Sequence, residues 1–472
     1  MRTDRWLVCA AVVLLCLATA RDYLDYWVSE TKLPVLLAET SVEVLDRNDR
    51  LLRLYTVEDG RWRLRTSMDG VDPGYLEMLI AYEDKRFYGH TGVDFLAMLR
   101  TLGQAAWRGK VVSGGSTLTM QVARLLEDSG TGRMHGKLRQ IRVALALEQR
   151  LSKQEILSQY LVRAPFGGNV EGVRAASLTW FGKEPRRLTP AQAALLVALP
   201  QAPEARRPDR DQPAARFARD RVLERMVHSG TLSQDEMRAA VTEPVPSARR
   251  PFAALAPHLA DRALAEDPAR STHRLTIERE LQKSLEELAQ SALFGLPDSL
   301  SVAIVVADHQ TGEIHASVGS ASYGQADARQ GFVDMTRAIR SPGSTLKPLV
   351  YALAFDRGLA HPQTLIRDRP VSFDGYAPQN FDGAFRGEVT VEDALQQSLN
   401  IPVVLLTDEI GPAHLMAALR KTGARTALPG GRPGLAVALG GVGMSLTDLV
   451  QLYAMFGQGG QATDLHWRKG QR

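Results

Sequence analysis

An uncharged apolar run dominates the first part of the chain. It covers Trp6–Ala20 and follows the two arginines Arg2 and Arg5. A bilayer-spanning helix needs about 20 apolar residues, and the aromatic residues after the run extend it toward that length. The pattern predicts a retained membrane anchor within residues 1–30, with the arginines in the cytoplasm. A cleaved signal peptide is the alternative, because Ala18-Thr19-Ala20 has the small residues of a cleavage site.

The hydrophobic pattern after residue 40 changes twice. Residues 40–70 alternate apolar and polar side chains, and Asn48-Asp49 supplies a turn, so this stretch predicts a short β region. From Asp72 to about Pro200 the apolar residues recur every three or four positions, which is the period of a helix that buries one face. These positions predict a mostly α-helical domain over residues 71–205.

The remaining chain predicts a linker and a second domain. Residues 206–274 are rich in arginine, alanine and proline, which predicts a linker with small helices. The segments Val302–Ala307 and Ile314–Val318 are rich in β-forming residues and are joined by a short turn, which predicts a β-hairpin. Helical patterns follow, and the second domain is predicted to cover residues 275–472.

The first predicted helix of the 71–205 domain carries an acid on its apolar face. Asp72 is suited to cap this helix, and the apolar face marked by Ile80 continues through Glu83. An acid on such a face is costly to bury and needs a partner or a use. An isolated helical acid is usually solvated. This one opens the string Glu83-Asp84-x-x-Phe87-x-x-His90-x-Gly92-x-Asp94, which chance rarely produces, so we predict a functional carboxylate.

Glycine and hydroxyl residues precede the next predicted helix, Leu118–Leu126. The segment Ser113–Thr117 would leave free backbone N–H groups at the helix start, where they can hold a phosphate; plain helix capping is the alternative. A cluster of basic residues follows, and it is either a solvated face or part of an anion site. Its members are Arg124, Arg133, Lys137, Arg139 and Arg142.

The composition adds limits to this picture. The chain has 472 residues, of which 44% are hydrophobic and 23% charged, as in a globular protein of two or three domains. A net charge of +4 suits an anionic ligand or a membrane surface, but it is too small to argue for nucleic acid. The two cysteines, Cys9 and Cys16, both lie in the N-terminal run, so no disulfide or reactive thiol is predicted for the domains.

Five motifs in one order resemble the glycosyltransferase domain of class A penicillin-binding proteins. They are the string that begins at Glu83 and the segments at 114–121, 152–161, 172–183 and 199–203. In the second domain, Ser344-Thr345-Leu346-Lys347 and Ser398-Leu399-Asn400 resemble the Ser-x-x-Lys and Ser-x-Asn motifs of a penicillin-binding transpeptidase. The resemblance covers nearly all of the chain after residue 40.

This resemblance implies a fold and an activity. The implied fold is a mostly α, lysozyme-like glycosyltransferase domain followed by an α/β, β-lactamase-like serine transpeptidase domain. The implied activity is polymerisation of lipid II into glycan strands by inverting transfer, with Glu83 as general base. Catalytic residues implied for the transpeptidase are Ser344, Lys347, Ser398 and Asn400. Substrate-binding residues implied for the glycosyltransferase are Asp84, Phe87, His90, Gly115, Ser116, Thr117, Gln121, Arg124, Arg133, Lys137, Arg139 and Gln140.

The resemblance also implies partners and a location. A divalent cation such as Mg2+ would suit the diphosphate leaving group, although the sequence shows no dedicated metal site. The implied partners are lipid II, the nascent glycan strand and other cell-wall synthesis proteins, with moenomycin and β-lactams as inhibitors and without nucleic acid. The expected location is the cell inner membrane, crossed once, with the N-terminus in the cytoplasm and the catalytic domains in the periplasm.

Three departures from the family pattern bear on activity. Gln140 stands where the pattern usually has a second glutamate, and Val162 stands where an asparagine usually follows Tyr-Leu. The only Lys-Thr-Gly tripeptide, Lys421-Thr422-Gly423, follows an amphipathic run and predicts a helix end instead of a strand motif. We therefore expect an incomplete and inactive transpeptidase half. Two alternatives to the glycosyltransferase remain: a non-catalytic penicillin-binding or scaffold protein, and a lytic, lysozyme-like hydrolase.

Overall fold

The structure is a computed structural model that describes residues 2–100, 116–127, 134–324 and 330–471. The chain divides into two compact units. The first combines residues 1–42 with 54–252, and the second combines residues 43–53 with 253–472.

The first unit is built mainly from helices. Their starts follow local chemistry: Asp72 Oδ1 accepts hydrogen bonds from the backbone N–H groups of Gly74 and Tyr75 at 2.9 and 3.3 Å. Ser152 and Glu155 form the reciprocal capping box that their spacing predicts, so the helical pattern breaks and restarts there. The helices described in this unit are Arg2–Ser29, Pro73–Glu83, Leu118–Glu127, Met134–Arg150, Lys153–Arg163, Val173–Phe181, Pro190–Ala198, Gln212–Ser229 and Gln234–Thr242.

The core of the first unit lies between these helices. The Pro190–Ala198 helix is almost entirely buried and packs against the Pro73–Glu83 and Gln212–Ser229 helices. Two short strands, Trp62–Arg63 and Val170–Glu171, pair in parallel. They are the only strands that the structure describes between residues 56 and 252. This packing fixes the direction in which the Pro73–Glu83 helix ends.

The N-terminal helix Arg2–Ser29 presents apolar side chains to its surroundings, among them Trp6, Leu14 and Leu17. By length and hydropathy, no single helix among the described residues qualifies as a bilayer span. One pair, Asn400–Ile410 with Pro412–Lys421, qualifies jointly and is bent by 89°.

The second unit mixes small sheets and helices. Val42–Leu45 lies between Leu51–Tyr55 and the parallel strand Thr272–Arg274. Ile304–Ala307 pairs antiparallel with Ile314–Val318, which confirms the predicted hairpin. The described helices of this unit are Pro257–Glu266, Arg279–Ala292, Lys347–Asp356, Val391–Gln396, Asn400–Ile410, Pro412–Lys421 and Leu446–Gly457, and a further strand pair joins Leu365–Asp368 to Gly387–Thr390.

The predicted helix end at the Lys-Thr-Gly tripeptide is confirmed. The Pro412–Lys421 helix stops at Lys421, Thr422 caps it, and Gly423 has a φ of +80°. A left-handed residue after a helix favours glycine because it has no Cβ. The helices on either side, including Asn400–Ile410 and Leu446–Gly457, contribute to one apolar core.

Candidate active site

The carboxylate of Glu83 is held by two amide groups. Glu83 is the last residue of the Pro73–Glu83 helix and is half-buried. Gln121 Nε2 donates to Glu83 Oε2 at 2.8 Å, and Gln201 Nε2 donates to Glu83 Oε1 at 2.7 Å. A negative charge at a helix C-terminus is disfavoured by the helix dipole, so these two donors stabilise it where the helix itself does not. Gln121 is among the predicted residues, whereas Gln201 is not.

The neighbour Asp84 connects this helix end to the start of another helix. Asp84 is buried, and its Oδ2 accepts a hydrogen bond from the backbone N–H of Leu118 at 2.9 Å. His90 Nε2 lies 3.0 Å from both carboxylate oxygens, and the N–H of Gly92 donates to His90 Nδ1 at 3.1 Å. Because Nδ1 accepts, Nε2 carries the proton and donates to Asp84. The network locks the loop after Glu83 onto the Leu118–Glu127 helix.

Two further predicted residues also lie in the interior. Phe87 is completely buried, and Lys153 Nζ lies 4.6 Å from the centroid of its ring. Thr117 is buried as well: its Oγ1 donates to the carbonyl of Gly92 at 2.6 Å and accepts from the N–H of Met120 at 3.1 Å. Phe87 is out of reach of solvent and Thr117 uses its hydroxyl within the protein, so a positioning role suits both better than direct contact with substrate.

Two cations are associated with the Leu118–Glu127 helix, and one of them, Arg124, lies in its last turn. Lys137 Nζ donates to Ser116 Oγ at 2.5 Å. Burial lowers the pKa of Lys137, and the charge of the half-buried Arg124 lowers it further. Two positive groups held together repel one another, so a bound anion would be favoured there. The structure thus joins Lys137 to Ser116 and places the charge of Arg124 near enough to act on Lys137.

The other predicted residues of this set are placed differently. Arg139 binds Glu127 through Nε at 2.8 Å and through a terminal guanidinium nitrogen at 2.7 Å, so its charge already has a partner. Gln140 is buried within the Met134–Arg150 helix. Gly115 and Arg133 lie outside the described residues.

Two buried tyrosines accompany Glu83, and sequence reasoning missed both. Tyr75 and Tyr160 are fully buried, and their hydroxyl groups have no hydrogen-bond partner among the described residues. Burial raises the pKa of both phenols, and the nearby charge of Glu83 raises each further. The Tyr-Leu pair within the 152–161 motif is the one signal that could have pointed to Tyr160.

A second constellation lies in the second unit, around Lys347. The lysine is buried, and its Nζ donates to Asn400 Oδ1 at 2.7 Å, to Ser398 Oγ at 3.1 Å and to the Ser398 carbonyl at 2.5 Å. Burial lowers the pKa of Lys347 to about 8. Ser344 is exposed in the Gly343–Leu346 turn, directly before the helix that begins at Lys347. The structure thus joins three of the four predicted residues by hydrogen bonds and leaves the fourth open to solvent.

A buried network holds Asn400 in place. The N–H of Asn400 donates to Asn380 Oδ1 at 2.8 Å, and Asn380 Nδ2 donates to both oxygens of Asp368 at 3.0 and 2.9 Å. Ser398 has a φ of +54°, a conformation that non-glycine residues rarely adopt and that often marks functional sites. The sequence offered no signal for Asp368 or Asn380 because each acts through another residue.

No metal-binding cluster is found in the part of the chain that the structure describes. There, no three histidine, cysteine, aspartate or glutamate side chains are grouped so that they could hold an ion. The described residues therefore offer no such cluster for the divalent cation that the resemblance implies.

Comparison with known proteins identifies the family. A transglycosylase family model matches residues 50–227, and a penicillin-binding protein transpeptidase model matches residues 302–471. The chain belongs to the class A penicillin-binding proteins. Its fold is therefore a helical transglycosylase domain followed by a transpeptidase domain, as the motifs imply.

Several relatives of this class A penicillin-binding protein match over most of the chain. Penicillin-binding protein 1C of Escherichia coli K12 is 41% identical over 98% of this chain and 59% of its own length. Penicillin-binding protein 1F of Bacillus subtilis 168 is 30% identical, with coverages of 94% and 63%. The chain thus spans about three fifths of the length of these relatives. A crystal structure of penicillin-binding protein 1A from Haemophilus influenzae aligns over 93% of this chain and 70% of its own, with 17% identity and a TM-score of 0.46.

Proposed function

We propose that this protein is a peptidoglycan glycosyltransferase that polymerises lipid II into glycan strands. The observation that carries the proposal is the carboxylate of Glu83, whose two oxygens are each held by an amide in the domain that matches the transglycosylase family. A carboxylate fixed in this way is prepared to accept a proton in a defined direction.

Glu83 acts as the general base. Its carboxylate takes the proton of the acceptor 4-hydroxyl while that oxygen attacks the anomeric carbon of the donor sugar. The bond from this carbon to the lipid diphosphate breaks, and the diphosphate leaves with the electron pair. Attack opposite the leaving group inverts the anomeric carbon, which needs one base and no covalent enzyme intermediate.

The departing diphosphate is stabilised by the cations near the Leu118–Glu127 helix. The charge of Arg124 lowers the pKa of Lys137, and Ser116 holds Lys137 in place. Positive groups fixed before the reaction stabilise charge that develops in the transition state. Arg139 contributes less, because Glu127 already neutralises it. Gln140 supplies at most a neutral hydrogen bond.

The N-terminal helix holds the enzyme at the membrane that carries its substrate. Supporting this, the Arg2–Ser29 helix exposes apolar side chains along its length. The N-terminus lies in the cytoplasm and both domains lie in the periplasm. Holding enzyme and lipid-linked sugar at one surface raises their effective concentration. Moenomycin would inhibit this domain by competing for the site, and other cell-wall synthesis proteins would be its partners.

The second unit holds three side chains of a serine acyl-transfer site in the domain that matches the transpeptidase family. Lys347, with its pKa lowered to about 8, could take the proton of Ser344, beside Ser398 and Asn400. The Lys-Thr-Gly tripeptide ends a helix and does not lie on a strand. We therefore expect β-lactams to bind slowly at Ser344.

One assay separates this function from its alternatives. Purified protein in detergent is given labelled lipid II, with and without moenomycin, and the products are separated by length. We expect moenomycin-sensitive glycan strands. Digestion of finished peptidoglycan would identify a lytic hydrolase. Failure to convert lipid II while a fluorescent penicillin still labels the protein would identify a non-catalytic penicillin-binding or scaffold protein.

A further inference from the structure

The amide of Gln201 is held from behind by an arginine. Arg206 donates through one terminal guanidinium nitrogen to Gln201 Oε1 at 3.0 Å and to the carbonyl of Ala198 at 2.7 Å. Ala198 is the last residue of the Pro190–Ala198 helix, where carbonyl groups lack partners within the helix. Arg206 is thus anchored to the end of a buried helix while it binds the amide.

This arrangement decides which way the amide faces. An amide side chain can turn over and exchange its oxygen and nitrogen, but a guanidinium has only donors and must face the oxygen. With Oε1 bound to Arg206, the nitrogen of Gln201 faces Glu83 and donates to its Oε1 at 2.7 Å. A reversed amide would place its oxygen against the carboxylate and repel it. The positive charge behind the amide also strengthens its N–H as a donor.

The contact between Gln201 and Glu83 joins two helices that are distant in sequence. Gln201 is in the turn Leu199–Gln201, and Glu83 ends the Pro73–Glu83 helix that packs on the Pro190–Ala198 helix. Gln201 and Glu83 are 118 residues apart in sequence, so only this packing joins them. Gln121 holds the other carboxylate oxygen. Losing either amide would free the carboxylate to rotate.

We propose that Gln201, oriented by Arg206, is a positioning residue that fixes one oxygen of the Glu83 base. This inference rests on the proposed glycosyltransferase function. Gln201 binds Oε1 of Glu83 on one side, and the remaining lone pairs of the Glu83 carboxylate are left for the acceptor hydroxyl. Arg206 acts only through Gln201 and does not touch the reacting atoms.

A double-mutant cycle on the full chain tests the proposal. Gln201→Ala is expected to lower kcat for lipid II polymerisation about 10-fold with little change in KM, the scale of one lost hydrogen bond to a charge. Arg206→Met should lower kcat about 5-fold in the parent, and it should have no further effect in the Gln201→Ala background. Arg206→Lys should restore part of the loss, because lysine also donates. Independent, multiplying effects of the two substitutions would overturn the proposal.

A pH profile and a matched control variant distinguish a positioning role of Gln201 from a merely structural one. Gln201→Glu places a second carboxylate beside Glu83, and two like charges so close resist ionising together, so the acid limb of the kcat profile should move up by about one pH unit. Gln201→Ala should move that limb in the same direction but by less, because it removes a donor to the charged carboxylate without adding a like charge. Arg210→Met is the control: Arg210 binds Glu204 at 3.1 Å in the same segment, and its loss should leave kcat unchanged. An unmoved acid limb in Gln201→Glu would contradict the contact.

A measurement without turnover keeps this inference distinct from the proposed function. In 15N-labelled protein, the side-chain amide signal that disappears in Gln201→Ala belongs to Gln201. That signal should shift in Glu83→Gln and again in Arg206→Met. If the parent makes no glycan, the proposed function fails, and these shifts still decide whether the contact exists. Absence of both shifts overturns the inference whatever the activity.

Discussion

Replacement of Glu83 by glutamine is the most direct perturbation of the proposed mechanism. Glutamine keeps the size of the side chain but cannot accept the proton of the attacking hydroxyl. General-base catalysis contributes about 100- to 10,000-fold to a rate, so Glu83→Gln should lose more than about 100-fold in lipid II polymerisation. Either Gln121 Nε2 or Gln201 Nε2 would then face the new amide nitrogen, so one donor would meet a donor instead of an acceptor.

The effect on stability should be small, which separates chemistry from unfolding. Removing a negative charge from a helix C-terminus favours the fold by about 0.3–1 kcal/mol. Losing a charge-assisted hydrogen bond at a half-exposed position opposes this by about 1.5–3 kcal/mol. The net free energy of unfolding should therefore fall by no more than about 2–3 kcal/mol, from the difference of those two ranges.

The control variant lies on the same helix. Glu77 is exposed and lies about 1.7 turns before Glu83. Glu77→Gln removes the same charge and should polymerise lipid II at the parental rate. The assay is the time course of labelled lipid II conversion at saturating substrate, with thermal unfolding measured alongside. A loss below 10-fold in Glu83→Gln, or an equal loss in Glu77→Gln, would refute the assignment of Glu83 as base.

Four other predictions concern the remaining polar groups. Lys137→Met should slow polymerisation about 10-fold or more, whereas Arg139→Met should change it less than 3-fold, because a carboxylate already neutralises Arg139; kcat for both variants checks this. Thr117→Val should lower the free energy of unfolding by about 1–3 kcal/mol in denaturant titrations, since a helix cap and a buried carbonyl both lose their partner. Between its lowered pKa of about 8 and the ordinary lysine pKa of 10.5, Lys347 binds fewer protons in the folded than in the unfolded protein, so the free energy of unfolding should rise with pH over that window. In Lys347→Met the free energy of unfolding should not rise over this pH window. A variant with the same pH dependence as the parent would contradict the burial of Lys347. A fluorescent penicillin should label Ser344 slowly because the Lys-Thr-Gly tripeptide ends a helix, and labelling as fast as that of a penicillin-binding protein with this motif on a strand would show that the site does not need it.

Local chemistry decided the features that the sequence predicts correctly. The cap at Asp72, the capping box that begins at Ser152, the hairpin after Ile304 and the helix end at Gly423 each depend on residues a few positions apart. Short-range hydrogen bonds and allowed backbone angles fix such features, so residue type and spacing are sufficient to predict them. The family motifs then indicated which residues are candidates for the site.

Tertiary packing alone decided what each candidate residue does. Glu83 meets Gln201 across 118 residues, and Lys347 meets Asn400 across 53. A motif fixes residue types, but it does not say whether a side chain faces a ligand or the interior. Phe87 belongs to the same string as Glu83, yet it is buried, while Glu83 remains accessible. Burial and the direction of a hydrogen bond arise only when distant helices pack, which is why the sequence indicated Glu83 as a candidate base while only the structure showed that Gln201 holds it.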